Sequence, residues 1–147
     1  MKFREMRQGR VFVVRLEDGD RIPDALEKFA VKKGIQRALV FALGGVAGGC
    51  IVVGPEKADT EGGVTPMLHE LEGVHEAAAL GTIFPTEEGK PELHLHAALG
   101  RAGETRTGCG RTGLEVWKVL EVVVMELLGD GPVRRYDPET GFVLLEP

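Results

Sequence analysis

Short runs of β-branched and other apolar residues, separated by glycines and turn-forming residues, recur along most of this chain. Such runs predict β-strands, because branched side chains pack well on a pleated sheet, whereas glycine, proline and aspartate favour turns. Roughly eight strands can be recognised in this way. The clearest are residues 10–16, 37–43, 50–53, 77–83, 93–99 and 142–145. A β-sheet must therefore dominate the fold.

One segment has the periodicity of an amphipathic helix. Apolar residues from Ile22 to Ala30 recur every three to four positions, and Lys-Lys-Gly follows at residues 32–34. Pro23 is suited to the first turn, with Asp20 or Asp24 as the expected N-cap. We therefore predict an α+β protein: a mainly antiparallel, mixed β-sheet with one principal helix, formed by residues 1–147 as a single domain.

Two segments need separate interpretation. The glycine pairs between Gly44 and Gly49 lack the Lys-Ser or Lys-Thr of a phosphate-binding loop. They predict a tight connection between two strands. In the segment 115–128, the spacing of Val116, Val119 and Val123 fits a helix, but the valine run at 122–124 favours a strand. The residues alone leave both alternatives open.

Charge and hydropathy restrict the classes of partner. The net charge is -5, whereas proteins that depend on DNA phosphate contacts usually carry a basic surface. Despite the negative net charge, five arginines are concentrated in the second half of the chain: Arg101, Arg106, Arg111, Arg134 and Arg135. They indicate either an anion-binding patch or solvated loop and subunit contacts. No apolar run is long enough for a membrane helix, and the charged start is unlike a signal peptide. We expect a cytoplasmic protein with no membrane partner.

The segment His94-Leu95-His96 carries the clearest chemical signal. In a strand, residues two apart point to the same face, so both imidazoles would converge on one spot. Paired histidines at this spacing can supply two nitrogen ligands to zinc or another divalent transition metal. The sequence therefore predicts a metal site on this strand.

Cys109 is the candidate third ligand. It lies 13 residues after His96, beyond a turn at 100–104, so a hairpin would bring it back beside the histidines. As an exposed cysteine near arginines it would form a thiolate readily and leave one coordination position open. A free surface or interface thiol is the alternative. Cys50, within an apolar stretch, is expected in the core.

Other titratable residues are weaker candidates. Glu76 is a possible fourth ligand or general base, and Glu121 interrupts an apolar run and faces either solvent or a pocket. Both are candidate catalytic residues. His75 and Glu76 point to opposite faces of a strand, so at most one can face the site. His69 has no recognisable context.

The pattern of motifs resembles the PPC (plants and prokaryotes conserved) domain over roughly residues 3–146. The most specific segment is Leu93-His94-Leu95-His96-Ala97 with its glycine-rich return, and Gly44-Gly45, Leu80-Gly81-Thr82 and Arg135-Tyr136-Asp137-Pro138 also match. The resemblance implies that residues 116–125 form a strand, that the chain is a homotrimer, and that its fold is similar to that of acetolactate decarboxylase, a metal enzyme with histidine ligands.

Two departures from the family pattern affect the expected function. The family usually has Gly-Gly-His where this chain has Thr107-Gly108-Cys109, so a cysteine replaces the third histidine. No AT-hook of the type Arg-Gly-Arg-Pro occurs, although the family is associated with DNA. The first hypothesis is a homotrimeric DNA-binding or regulatory module with a metal site and a DNA or protein partner. The alternative is a small metal-dependent lyase or hydrolase acting on an oxygenated small molecule.

Overall fold

A computed structural model describes residues 1–57 and 64–147 of the chain. Its elements within these ranges are β1 (Arg7–Glu17), β2 (Arg21–Ile22), α1 (Asp24–Lys33), β3 (Ala38–Pro55), β4 (Pro66–Glu70), β5 (His75–Pro85), β6 (Pro91–Arg101), β7 (Glu104–Cys109), a 3-10 turn (Gly110–Thr112), β8 (Leu114–Leu128), β9 (Val133–Asp137) and β10 (Phe142–Glu146).

Most strands belong to one sheet, in the order β1-β8-β3-β5-β6-β7, with β2 on β8 and β4 on β3. The pairings between these strands are antiparallel, and β9 and β10 form a separate antiparallel pair. The predicted α+β class is therefore confirmed. The ambiguous segment 115–128 lies in β8, as the family resemblance implied.

Helix α1 covers one face of the sheet. Its buried residues Leu26 and Ala30 join a core that includes Val40, Leu95 and Val122. Gly34 ends the helix in the left-handed conformation that glycine adopts without steric penalty. The expected aspartate cap is absent: Pro23 occupies the N-cap position, and Asp20 instead accepts a hydrogen bond from the Glu17 amide at 2.8 Å. No helix in the described ranges is long and apolar enough to cross a membrane.

The expected turn at Gly44–Gly49 was wrong, because β3 continues through it as an 18-residue strand. The register with β8 shifts between Gly44 and Gly45 and again between Val46 and Gly48. Glycine allows these bulges because Gly44 and Gly49 have φ values of 145° and 123°, which residues with a Cβ rarely adopt. The glycines thus bend one strand rather than separate two.

Alanine at Gly49 is expected to destabilise the fold. Its Cβ would lie 2.2 Å from the Gly113 carbonyl oxygen, in addition to the unfavourable φ. The expected loss is about 2–4 kcal/mol in the free energy of unfolding, measurable by urea denaturation. Gly48→Ala is the matched control, since its Cβ would meet no atom within 4 Å. Equal stability of both variants would contradict this account of the bulge.

Strands β3, β5, β6 and β7 form a closed ring. The N-terminal part of β3 pairs with β5, and β5 pairs with β6, which forms a hairpin with β7. The ring closes where Val52 of β3 pairs with Cys109 of β7. Gly108 permits this close approach, since a Cβ there would lie 2.6 Å from the Val52 carbonyl oxygen. Cys109 is therefore held by strands on both sides.

The sheet face opposite the helix is apolar and exposed. One row of cross-strand neighbours runs Val13–Val123–Phe41–Leu80–His96. Val13 is 84% exposed and Leu80 is 53% exposed. Contiguous apolar surface of this kind marks an interaction site in soluble proteins. We call these first four residues, together with Val11 and Leu43, the apolar face.

Candidate metal centre

Strand β6 presents His94 and His96 on one face of the sheet. The alternation of the strand buries Leu93, Leu95 and Ala97 in the core and leaves the two histidines exposed. Their Nε2 atoms lie 3.2 Å apart. The predicted convergence of the two imidazoles is therefore present in the structure.

The β6–β7 hairpin brings Cys109 directly opposite His96, as predicted. One expectation about this residue was wrong: Cys109 is not exposed but 4% accessible, because β3 covers it on the side away from β6. The ligand atoms of His94, His96 and Cys109 all lie within 4.8 Å of one another. In the described ranges, this is the one cluster of three or more potential metal-ligating side chains with such spacing.

The geometry of this cluster fits a tetrahedral metal ion. Two nitrogen ligands at about 2.05 Å from zinc, subtending a tetrahedral angle, would lie about 3.3 Å apart. The observed separation of 3.2 Å between the Nε2 atoms is close to this value. Two imidazoles and one thiolate form a donor set typical of zinc and similar ions, with a fourth position available.

Burial and nearby positive charge favour the metal-binding form of His94. Partial burial of the ring lowers the pKa of His94, and the charges of Arg134, His96 and Arg111 lower it further. A lower pKa increases the neutral fraction of the imidazole near pH 7, and the neutral ring is the form that donates a lone pair to a metal.

Arg134 is a buried neighbour of this centre that the sequence did not reveal. Only 7% of it is accessible, and burial lowers the pKa of its guanidinium. Its Nε lies 4.0 Å from Glu92, beyond hydrogen-bond distance, and finds no hydrogen-bond partner in the described residues. The sequence grouped Arg134 with four other arginines, as an anion-binding patch or as solvated loop and subunit contacts, and no periodicity in the short segment 133–137 signals its burial.

A cavity of about 310 Å³ opens beside the three candidate ligands. His94, His96, Cys109 and Arg111 provide its polar atoms. The remaining wall is mostly apolar and comes from the end of β3, the start of β4 and Phe142 of β10. The arrangement can therefore admit a small molecule to a metal at the open coordination position.

The weaker candidates for functional residues lie away from the three proposed ligands. Glu76 pairs with Gly100, four residues along β6 from His96, which corresponds to roughly 13 Å. Glu121 is on β8, three strands from β6, or roughly 14 Å. The catalytic role of both carboxylates stays a prediction. His69 and the buried His75 line a different cavity.

Cys50 is half-buried rather than fully in the core. It is also separate from the cluster of three candidate ligands.

Solved structures that are similar to this chain include the following three. A metal-containing protein from Archaeoglobus fulgidus is 32% identical, with a TM-score of 0.84 and 99% of each chain covered. A plant- and prokaryote-conserved (PPC) protein from Pyrococcus horikoshii is 24% identical, with a TM-score of 0.85 over 100% of this chain and 98% of that one. A candidate DNA-binding protein from Ralstonia eutropha is 21% identical, with a TM-score of 0.75, covering 90% and 88%. The last two likenesses establish the fold alone.

No curated protein matches this sequence. The family model described as the Plants and Prokaryotes Conserved (PCC) domain matches residues 3–128, which is most of the chain. Together with the fold and the extensive similarity to the Archaeoglobus protein, this match shows that the chain belongs to the PCC (or PPC) domain family.

Proposed function

We propose that this protein is a homotrimeric regulatory module that carries a divalent transition metal, with zinc as the best fit. His94, His96 and Cys109 are the proposed ligands. The observation that carries the proposal is the approach of their ligand atoms to within 4.8 Å of one another. The metal-containing Archaeoglobus protein supports it as a relative of the same fold.

Elemental analysis of the purified protein tests the metal centre. About one metal ion per chain is expected, as the ligand set is complete within one chain. A metal-free protein that also fails to take up added Zn²⁺ or Co²⁺ would contradict the proposal.

The apolar face supports self-association. Its apolar side chains are neighbours across the sheet, and no other part of the described chain covers them. Packing the apolar faces of three copies around a common axis would remove all three from water together. His96 borders this face through its pairing with Leu80, so the metal centre lies at the rim of the proposed subunit contact.

DNA is the candidate partner of the regulatory module, and its direct binding predicts a strong dependence on salt. Three exposed arginines lie on the β6–β7 hairpin and the turn after it: Arg101, Arg106 and Arg111. If these three arginines each neutralise one phosphate, affinity should fall about 40-fold between 50 and 200 mM salt. Electrophoretic mobility shifts with short duplexes measure this. Absence of any complex at the lower salt concentration would exclude direct DNA contact and leave a protein as the partner.

A small metal-dependent enzyme is the second candidate, favoured by the cavity beside the proposed ligands. A metal bound there would supply Lewis acidity or an activated water. Arg111 lines the same cavity and can hold an anionic substrate group. Because Glu76 and Glu121 lie more than roughly 10 Å from the ligands within one chain, they could carry protons only from a neighbouring copy.

A further inference from the structure

The cavity beside the proposed metal centre has two chemically different parts. One group of lining residues is polar or charged and consists of the three proposed ligands and Arg111. The other group is apolar and includes Val53, Pro55 and Phe142. A ligand that fits this cavity needs a polar head for the first part and an apolar body for the second.

Arg111 belongs to a hydrogen-bonded turn beside the cavity. It lies two residues after Cys109, in the 3-10 turn that closes with a hydrogen bond from the Gly113 amide to the Gly110 carbonyl. The Thr112 hydroxyl donates to the Cys50 carbonyl and anchors this turn to β3. The backbone therefore fixes the position of Arg111 relative to the ligand Cys109.

The guanidinium of Arg111 is available for a ligand. The side chain is exposed, and within the described residues it has no ion-pair partner. Arg111 lines the same cavity as His94, His96 and Cys109, so it lies close to the proposed metal centre. An anion could thus contact the metal and the guanidinium at once.

The size and the wall of the cavity restrict the rest of the ligand. A volume of about 310 Å³ lies at the small end of ligand-binding pockets, which span about 300 to 1,000 Å³. This space suits a molecule with few non-hydrogen atoms. The apolar wall disfavours a strongly hydrated dianion such as phosphate and favours a short hydrocarbon chain.

We propose that Arg111 and the apolar wall form a subsite for a small aliphatic monocarboxylate beside the metal centre. The carboxylate would meet the metal with one oxygen and the Arg111 guanidinium with the other, while its alkyl chain lies against Val53, Pro55 and Phe142. This inference rests on the proposed metal centre. It adds the class of ligand and a residue, Arg111, that selects it.

Isothermal titration of zinc-loaded protein with acetate and butyrate tests the subsite. Butyrate has two more methylene groups, so it should bind about 15-fold more tightly than acetate if both are buried. Arg111→Ala should weaken butyrate binding by about 10- to 100-fold, because a charge-assisted contact is lost. Arg7→Ala is the matched control: this exposed arginine on β1 does not line the cavity and should leave butyrate binding unchanged.

Measuring the metal content of each variant in parallel distinguishes failure of the carboxylate subsite from failure of the metal centre. Equal affinity for acetate and butyrate, or unchanged butyrate binding by a fully metal-loaded Arg111→Ala variant, would overturn the carboxylate subsite and leave the metal centre intact. A wild-type protein that takes up no metal would overturn the metal centre itself, and with it the subsite. A cobalt-loaded sample gives an independent readout, since carboxylate at the open position should alter the visible absorption of Co²⁺.

Discussion

Alanine replacement of His94, His96 or Cys109 is expected to lower metal affinity by roughly a hundredfold or more. Each variant removes one of the three proposed ligands, whose donor atoms lie within 4.8 Å of one another. Two remaining ligands bind a divalent ion far more weakly, because the missing bond must be replaced by water. Competition with a chromophoric chelator measures the affinity, and elemental analysis after dialysis measures the retained metal.

The chain offers matched controls for this experiment. His69→Ala removes a histidine on β4 that lines the other cavity, and Cys50→Ala removes the second cysteine. Both variants should retain full metal content. Loss of metal in the controls, or metal content indifferent to all three ligand changes, would refute the assignment of the ligands.

Cobalt substitution distinguishes the role of the thiolate from that of the imidazoles. The cobalt-loaded protein should show a thiolate-to-metal charge-transfer band in the near ultraviolet, since Cys109 is a proposed ligand. The band should vanish in Cys109→Ala and persist in Cys50→Ala. A cobalt spectrum without this band would leave His94 and His96 as ligands and remove Cys109 from the set.

Charge placed on the apolar face is expected to convert the proposed trimer to single chains. Leu80 is 53% exposed, Val13 is 84% exposed, and both lie in the row that ends at His96. Lysine at both positions would have to be desolvated in a subunit contact, which should weaken association about a hundredfold or more. Light scattering coupled to size exclusion should give three times the chain mass for the wild type and 15.9 kDa for the double variant.

Val31→Lys is the control for this change. Val31 is 61% exposed on helix α1, on the side of the sheet away from the apolar face, and its replacement should leave the trimer intact. Both variants should fold, because the replaced side chains are already exposed in the single chain. A wild-type protein that remains one chain at all concentrations would contradict the proposed role of this face.

Sequence reasoning identified the elements of the fold better than their connections. The helix and most strands follow from local periodicity, and the β6–β7 hairpin follows from two runs separated by a glycine-containing turn. The continuous course of β3 could not be predicted locally. Considered alone, the glycines between Gly44 and Gly49 predict a turn. Only the pairing with β8 shows that they form bulges inside a strand.

The candidate site, too, could be predicted only in part from the sequence. His94 and His96 follow from strand alternation, and Cys109 follows from the hairpin. The burial of Cys109 depends on its pairing with Val52, which lies 57 residues earlier in the chain. Arg134 reaches the site through the separate β9–β10 pair, so its proximity to His94 is a tertiary property. Local patterns carry no information about such contacts.

The closed ring of β3, β5, β6 and β7 has a consequence for how the protein would exchange metal. In zinc fingers the unfolded chain gathers around the ion, so release of the ion is also unfolding. Here a hydrogen-bonded frame, closed at Val52 and Cys109, positions the strands that carry the three proposed ligands without a metal. Occupancy can therefore rise and fall with the free concentration of the ion while the fold persists. A frame of this kind suits a protein that senses the concentration of free metal reversibly.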